Sequence, residues 1–155
     1  MEKEEQVTLA FRGLVDKLVW LNKFKMEDQL RGYKPSEVHC VEAIMKNSDP
    51  NVTRLAESLY MTKGAISKLT KKLIEKKLIE SYQKPANKKE VYFKLTDKGK
   101  SVYQIHEDLH KEFQERDKEM FAQITDEQLD KILKFVDQYN NHLDAEIKKQ
   151  GLEIG

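Results

Sequence analysis

Residues 51–95 read NVTRLAESLYMTKGAISKLTKKLIEKKLIESYQKPANKKEVYFKL, and this stretch decides the fold. Asn51 suits a helix N-cap, because its side-chain oxygen can accept an otherwise unpaired N–H of the first turn. Leu55, Ala56 and Leu59 follow as a short helix that ends at Tyr60 and Met61. Thr62 offers a second cap, and Ile66, Leu69, Leu73 and Ile74 give the next helix a buried stripe as far as Lys77. Two short helices a few residues apart have the spacing of a helix-turn-helix. Then come Leu78–Gln83, a polar turn Lys84–Lys89, and Glu90–Leu95. Two aromatic and β-branched runs around a turn with Pro and Asn predict a β-hairpin. A hairpin appended to a helix-turn-helix is a winged helix.

Outward from this segment the chain is helical. Phe11, Leu14, Val15, Leu18, Leu21, Met26 and Leu30 recur near a 3.6-residue spacing, so residues 5–30 read as one long amphipathic helix. Gly32, Tyr33, Lys34 and Pro35 end it, and a second helix starts at Ser36 with Val38, Val41, Ile44 and Met45 inward, ending near Asn47. Thr96 caps a long fifth helix striped by Val102, His106, Leu109, Phe113, Met120 and Ile124. Thr125 and Gln128 form a capping box that opens a last helix carrying Leu129, Ile132, Leu133, Val136, Tyr139, Leu143 and Ile147. No repeat, low-complexity tract or linker separates these pieces. The expectation is one domain over residues 1–155, mainly α with a small β-wing: a winged helix-turn-helix region at 36–95, with residues 5–30 and 100–150 as dimerisation helices. Those terminal stripes outrun what a small winged helix can cover, which predicts that two copies bury them in a homodimer. An intramolecular helical hairpin is the competing reading.

The chain has 155 residues, 28 Lys+Arg and 27 Asp+Glu, for a formal net charge of +1. With 35% charged residues, 6 Gly and 3 Pro, disordered, collagen-like and loop-rich all-β classes are disfavoured. No apolar run approaches the roughly 20 residues of a membrane span, and the acidic start does not read as a signal peptide. A cytoplasmic protein is expected. The single Cys40 excludes an intramolecular disulfide and any CxxC motif. The balance near zero conceals segregation: residues 62–94 hold ten Lys and three Glu, a local +7, whereas from Glu107 onward thirteen acids face seven bases. The basic segment is a candidate polyanion contact; a merely solvated helix face is the alternative.

In a helix-turn-helix the second helix lies in the major groove with its N-terminal end nearest the bases. With Ile66 in the core, Thr62, Lys63, Gly64, Ser67, Lys68 and Lys71 remain on the opposite side. Hydroxyls can bond base edges, Lys can bond guanine or phosphate, and Gly64 permits close approach. This face lacks Arg, Asn and Gln, so modest direct readout and a large, salt-sensitive phosphate contribution are expected. Lys84, Lys88 and Lys89 on the hairpin turn point outward, toward phosphates or an adjacent minor groove.

From Asn51-Val52-Thr53-Arg54-Leu55-Ala56, through Gly64-Ala65-Ile66-Ser67-Lys68, to Leu95-Thr96-Asp97-Lys98-Gly99, the chain resembles the MarR-type winged-helix transcriptional regulators. The likeness runs over nearly its whole length, and Leu-Thr-x-x-Gly at the wing exit looks like a family signature. The resemblance implies a homodimer built from the first and last two helices that binds a pseudo-palindromic operator. It also implies release by a ligand, oxidant or metal, usually from a repressor. One departure stands out. Many members carry Asp-x-Arg in the wing, where this chain has Asn87, Lys88 and Lys89, and Lys is not equivalent to Arg as a donor.

For the effector, His39, Cys40, His106 and His110 are the candidates. His106 and His110 are four apart and share a helix face, and the family fold brings the helix of His39 and Cys40 near them. Converging N and S donors suit tetrahedral zinc, and the set resembles the zinc-sensing branch of the family, although the acidic ligands aligned with that branch are absent. A pocket for a small hydrophobic or aromatic effector, and Cys40 as an oxidation sensor, are the alternatives. No phosphate loop, HExxH or nucleophile elbow occurs, so no enzyme is expected. The runner-up from another class is a winged helix that binds an acidic protein partner.

Overall fold

A computed structural model describes residues 1–151. The element order is α1 (Lys3–Gln29), α2 (Pro35–Lys46), α3 (Val52–Leu59), α4 (Lys63–Glu75), β1 (Ile79–Lys84), β2 (Asn87–Leu95), α5 (Asp97–Ala122) and α6 (Asp126–Lys149). Four of the helix starts are set by side-chain caps. Asn51 accepts the Arg54 N–H at 2.9 Å, Thr62 that of Ala65 at 3.1 Å, and Thr96 that of Gly99 at 3.1 Å. At α6, Thr125 accepts from Gln128 while the Gln128 side chain accepts the Thr125 N–H, the reciprocal pattern of a capping box. α3 ends where Tyr60 turns left-handed at φ 51°.

One core joins these elements. Val38, Val41 and Ile44 of α2, Leu55 and Ala56 of α3, and Ile66, Leu69 and Leu73 of α4 meet Leu78, Ile79, Phe93 and Leu95 at the base of the wing. Val102, Leu109 and Phe113 of α5 close it from behind. Burying each large aliphatic side chain contributes about 1.5–3 kcal/mol, so the helix-turn-helix is held by its inward stripes. Ile74 differs from expectation: it stands 41% exposed. One residue past Leu73 is a rotation of about 100° on a helix, which carries it off the stripe. Thr70 is buried instead and donates its hydroxyl to the Ile66 carbonyl at 2.9 Å. Met45 and Met120, also expected inward, are exposed.

The wing is a two-stranded antiparallel sheet. Ile79 pairs with Leu95, Ser81 with Phe93 and Tyr82 with Tyr92, and then the register shifts so that Lys84 faces Asn87. The tight turn is therefore Pro85-Ala86, and Lys88 and Lys89 lie on the irregular part of β2, not on the turn itself. The Phe93 N–H also donates to the Pro50 carbonyl at 3.0 Å, fastening the hairpin to the α2–α3 connection.

The exit from the wing explains Leu-Thr-x-x-Gly. Leu95 is in the core, Thr96 caps α5 and donates to the Lys77 carbonyl at 2.6 Å, and its N–H donates to the Leu78 carbonyl at 3.0 Å. A Cβ on Gly99 would overlap that Leu78 carbonyl oxygen and lie 3.1 Å from its carbon. Only glycine lets the first turn of α5 pass the end of α4.

α1 and α6 have no buried residue. Leu14, Val15, Val19, Trp20 and Leu21 of α1 and Leu133, Phe135 and Leu143 of α6 are exposed. Within the chain α1 meets α6 through Phe11 and Phe135, ring centroids 5.6 Å apart, and meets α5 through an ion pair of Lys25 with Glu112 at 2.6 Å. Among the described residues no helix is long and apolar enough to cross a membrane.

Candidate nucleic-acid interface

Core packing of α4 orients its other side. With Ile66, Leu69 and Leu73 inward, Thr62, Lys63, Gly64, Ser67, Lys68 and Lys71 are all exposed on the opposite side of the helix. Gly64 has nothing within 4 Å of where a Cβ would stand, so its backbone is open to a close-approaching surface. Among the described residues, no carboxylate pairs with Lys63, Lys68, Lys71, Lys88 or Lys89. Five ammonium groups on one helix and the neighbouring wing thus remain without an internal counter-charge.

Two of the expected wing contact residues, Lys84 and Asn87, also carry bonds within the chain. Lys84 is not free: its Nζ is 2.5 Å from Asp49 Oδ2 and 5.0 Å from the centre of the Tyr92 ring. Asn87 accepts the N–H groups of Lys89 and Glu90 at 3.2 and 3.4 Å, so its oxygen shapes the bulge that presents the lysines. The Gln83 amide donates to the Lys88 carbonyl at 2.7 Å and adds to that support. At the far end of α4, Lys76 pairs with the buried Glu37 at 2.9 Å and bonds the Gly32 carbonyl. Burial pushes the Glu37 carboxyl up, but the Lys34 N–H and the Lys76 and Lys72 charges outweigh that and hold it below its usual range.

A second cluster lies where α2 meets α5. His106 is buried, with Nε2 3.1 Å from His110 Nε2 and Nδ1 2.8 Å from Glu42 Oε2, yet Nδ1 lacks a properly aligned hydrogen bond. Burial lowers the His106 pKa, opposed by Glu42 and reinforced by His110 and His39. Glu42, His106 and His110 offer donor atoms within 4.8 Å of one another. The His39 ring is 6.1 Å from that of His106. Cys40 does not join them: it has no exposed surface, and burial pushes its thiol up to about 12. A buried neutral thiol is a poor ligand and a poor oxidation sensor. Glu42, one helical turn from His39 and absent from the sequence-based ligand set, adds a carboxylate to the two imidazoles. Beside the cluster opens a cavity of about 540 Å³, lined by apolar Leu18, Met26, Leu30, Tyr33 and Val38 together with His39, His106 and His110.

A helix-turn-helix whose second helix bares a cationic face beside a lysine-bearing hairpin defines a winged-helix protein with a nucleic-acid-binding design. Residues 34–99 match the winged helix DNA-binding domain family. The chain is 34% identical over 111 residues to the HTH-type transcriptional regulator PchR of Bacillus subtilis (strain 168); the match covers 72% of this chain and 66% of that relative. Its fold is that of Streptococcus pneumoniae FabT in complex with DNA, with a TM-score of 0.80 at 17% identity, covering 92% of this chain and 99% of FabT. It is also that of Staphylococcus aureus MarR in complex with salicylate and kanamycin, with a TM-score of 0.73 at 19% identity, covering 92% and 93%. Residues 34–99 thus carry a winged helix DNA-binding domain, and the chain as a whole has the fold of these MarR-type structures.

Proposed function

We propose that the chain is a transcriptional regulator, a repressor in the cytoplasm, that binds a pseudo-palindromic duplex as a homodimer. The observation that carries this reading is the single face of α4 on which Thr62, Lys63, Gly64, Ser67, Lys68 and Lys71 all stand exposed, opposite a fully packed stripe. In this reading α4 enters the major groove, Ser67 and Thr62 bond base edges, and Lys63, Lys68 and Lys71 meet bases or phosphates. Lys88 and Lys89, presented by the Asn87 turn, reach the backbone beside the adjacent minor groove. The exposed apolar faces of α1 and α6 support dimerisation, because contiguous apolar surface on that scale is seldom left in water. Selection from random duplex DNA, followed by binding at rising salt, tests the reading. A recovered inverted repeat with salt-steep affinity is expected; no affinity at low salt would transfer the basic face to an acidic protein partner.

The cavity between α1, α2 and α5 supports a small hydrophobic or aromatic effector, its apolar body against Leu18, Met26 and Val38 and a polar group toward the histidines. Because α2 belongs to the winged helix and α1 to the terminal helices, a ligand wedged there would bias their relative setting. A zinc-responsive regulator is the second reading, supported by Glu42. Glu42, His106 and His110 offer one oxygen and two nitrogens within 4.8 Å of one another, and zinc would draw them to the roughly 3.4 Å spacing of a tetrahedral site with bonds of about 2.1 Å. Bound zinc would tie α2 to α5. Elemental analysis and DNA binding with zinc or a chelator decide between the two, and indifference to both removes the metal.

A further inference from the structure

The wing is held by contacts that phosphate binding does not require. Asp49 sits at φ 49° in the α2–α3 turn, and the Arg54 guanidinium fixes that turn by donating to the Ser48 and Asp49 carbonyls at 2.8 and 2.9 Å. One Asp49 oxygen accepts the Tyr82 hydroxyl at 3.0 Å and the other accepts Lys84. Bonds to Lys84 and Tyr82 hold the Asp49 carboxyl below its usual range, so it stays ionised. Tyr82 and Lys84 are two apart on β1 and therefore share one face of the hairpin. On that face Tyr82 packs on Tyr92 with ring centroids 5.5 Å apart, Lys84 lies over Tyr92, and Lys94 lies 5.8 Å over Tyr82.

A two-stranded hairpin has little stability of its own. This one is paired regularly only up to Tyr82–Tyr92, and the lysine-bearing residues lie beyond the register shift. Asp49 reaches past that shift through Lys84, beside a longer bond of 3.3 Å from the Asn51 amide to Glu90.

We infer that Asp49, acting through Tyr82 and Lys84, is a positioning residue that sets the tilt of the wing, and that Lys84 serves this tether instead of contacting phosphate. The inference rests on the wing being a DNA-contacting element. Its signature is a reversal of sign. Removing the Asp49 charge makes the surface more cationic and releases Lys84, which by simple electrostatics tightens DNA binding; a lost tether weakens it.

The probe is a duplex selected from random DNA by the wild-type chain, titrated at several salt concentrations. Asp49→Asn preserves shape and tolerates the left-handed turn. Asp49→Asn and Lys84→Gln are each expected to weaken binding by about three- to tenfold, with the salt slope unchanged. The double variant should bind no worse than the weaker single, and Lys84→Arg should restore binding. Tyr82→Phe, which removes only a hydroxyl, should weaken binding in the same direction even if Asp49→Asn does not fold. Amide exchange in the free protein should quicken across β1 and β2 in Asp49→Asn. Equal or tighter binding by Asp49→Asn, a slope lowered by about one in Lys84→Gln, or unchanged wing exchange overturns the inference. A wild-type chain that selects no duplex refutes the DNA reading itself, and the exchange measurement still judges the tether.

Discussion

Gly99→Ala and Gly64→Ala are the same chemical change in the first turn of two helices, and the structure gives them opposite signs. At Gly64 a methyl meets nothing within 4 Å, so the substitution brings only the helix preference for alanine, up to about 1 kcal/mol of stabilisation. At Gly99 the added Cβ overlaps the Leu78 carbonyl oxygen and comes 3.1 Å from its carbon and 3.4 Å from Leu95 Cβ. Backbone on one side and core on the other must yield by about 1 Å, an overpacking strain of about 1–3 kcal/mol. The same shift breaks the 3.0 Å bond from the Thr96 N–H to Leu78, another 1–3 kcal/mol or so for a stranded polar group. Taking the middle of each range, about 2 and about 2 kcal/mol, less about 1 for the alanine gain, Gly99→Ala should lose about 3 kcal/mol. At fixed protein concentration that lowers the melting temperature by about 6–12 °C for a chain of this size, whereas Gly64→Ala raises it by a degree or more. Thermal unfolding followed by circular dichroism reads both. A Gly99→Ala chain that melts with or above the wild type would refute the close-approach account of the wing exit. Gly64→Ala should nevertheless weaken DNA binding, since its methyl occupies the approach to the duplex.

Lys68→Gln and Lys89→Gln should each weaken DNA binding and lower the salt slope by about one; an unchanged slope removes that lysine from the contact surface. His106 gives a pH dependence: burial holds its pKa below the ordinary 6.5, so it is neutral in the fold while the unfolded chain takes up the proton first. Stability should therefore fall as pH drops below about 6.5 toward the folded value. Chemical denaturation from pH 7.5 to 5.5 should show that slope and its loss in His106→Gln, against a background of His39 and Glu42 on α2 and Glu107 and His110 on α5. Leu133→Glu, at a position 66% exposed in the single chain, should convert a dimer into a monomer by sedimentation. An unchanged mass would favour an intramolecular role for α6. Cys40, with its thiol pushed up to about 12, should resist a disulfide reagent at pH 8 until the protein unfolds; prompt labelling of the native chain would contradict its burial.

Most of the fold was legible because its signals are local. Asn51, Thr62, Thr96 and Thr125 announce helix starts through bonds three residues long, and the stripes of α4 and α5 follow from helical period alone. The exposed set on α4 was legible for the same reason: fixing Ile66 inward fixes Thr62, Lys63, Ser67 and Lys68 outward. The hairpin was recognisable in kind but not in register, since Lys84–Lys89 supplies turn residues for more than one placement and the choice is made by Asn87 accepting two N–H groups.

What the chain could not announce is pairing between residues distant in sequence. Nothing local to Asp49 points to Lys84, 35 residues on, yet in the fold Lys84 donates to its carboxylate. Nothing near Glu42 points to His106, and Cys40, beside a histidine and so an attractive ligand on paper, faces the core because helical period turns it 100° away from His39. The sequence by itself determined which segments are helices, which faces are apolar and where positive charge gathers, since these depend on neighbours three or four residues apart. Which polar groups are left free to act is decided only by the tertiary structure, because a side chain's partner is chosen in space.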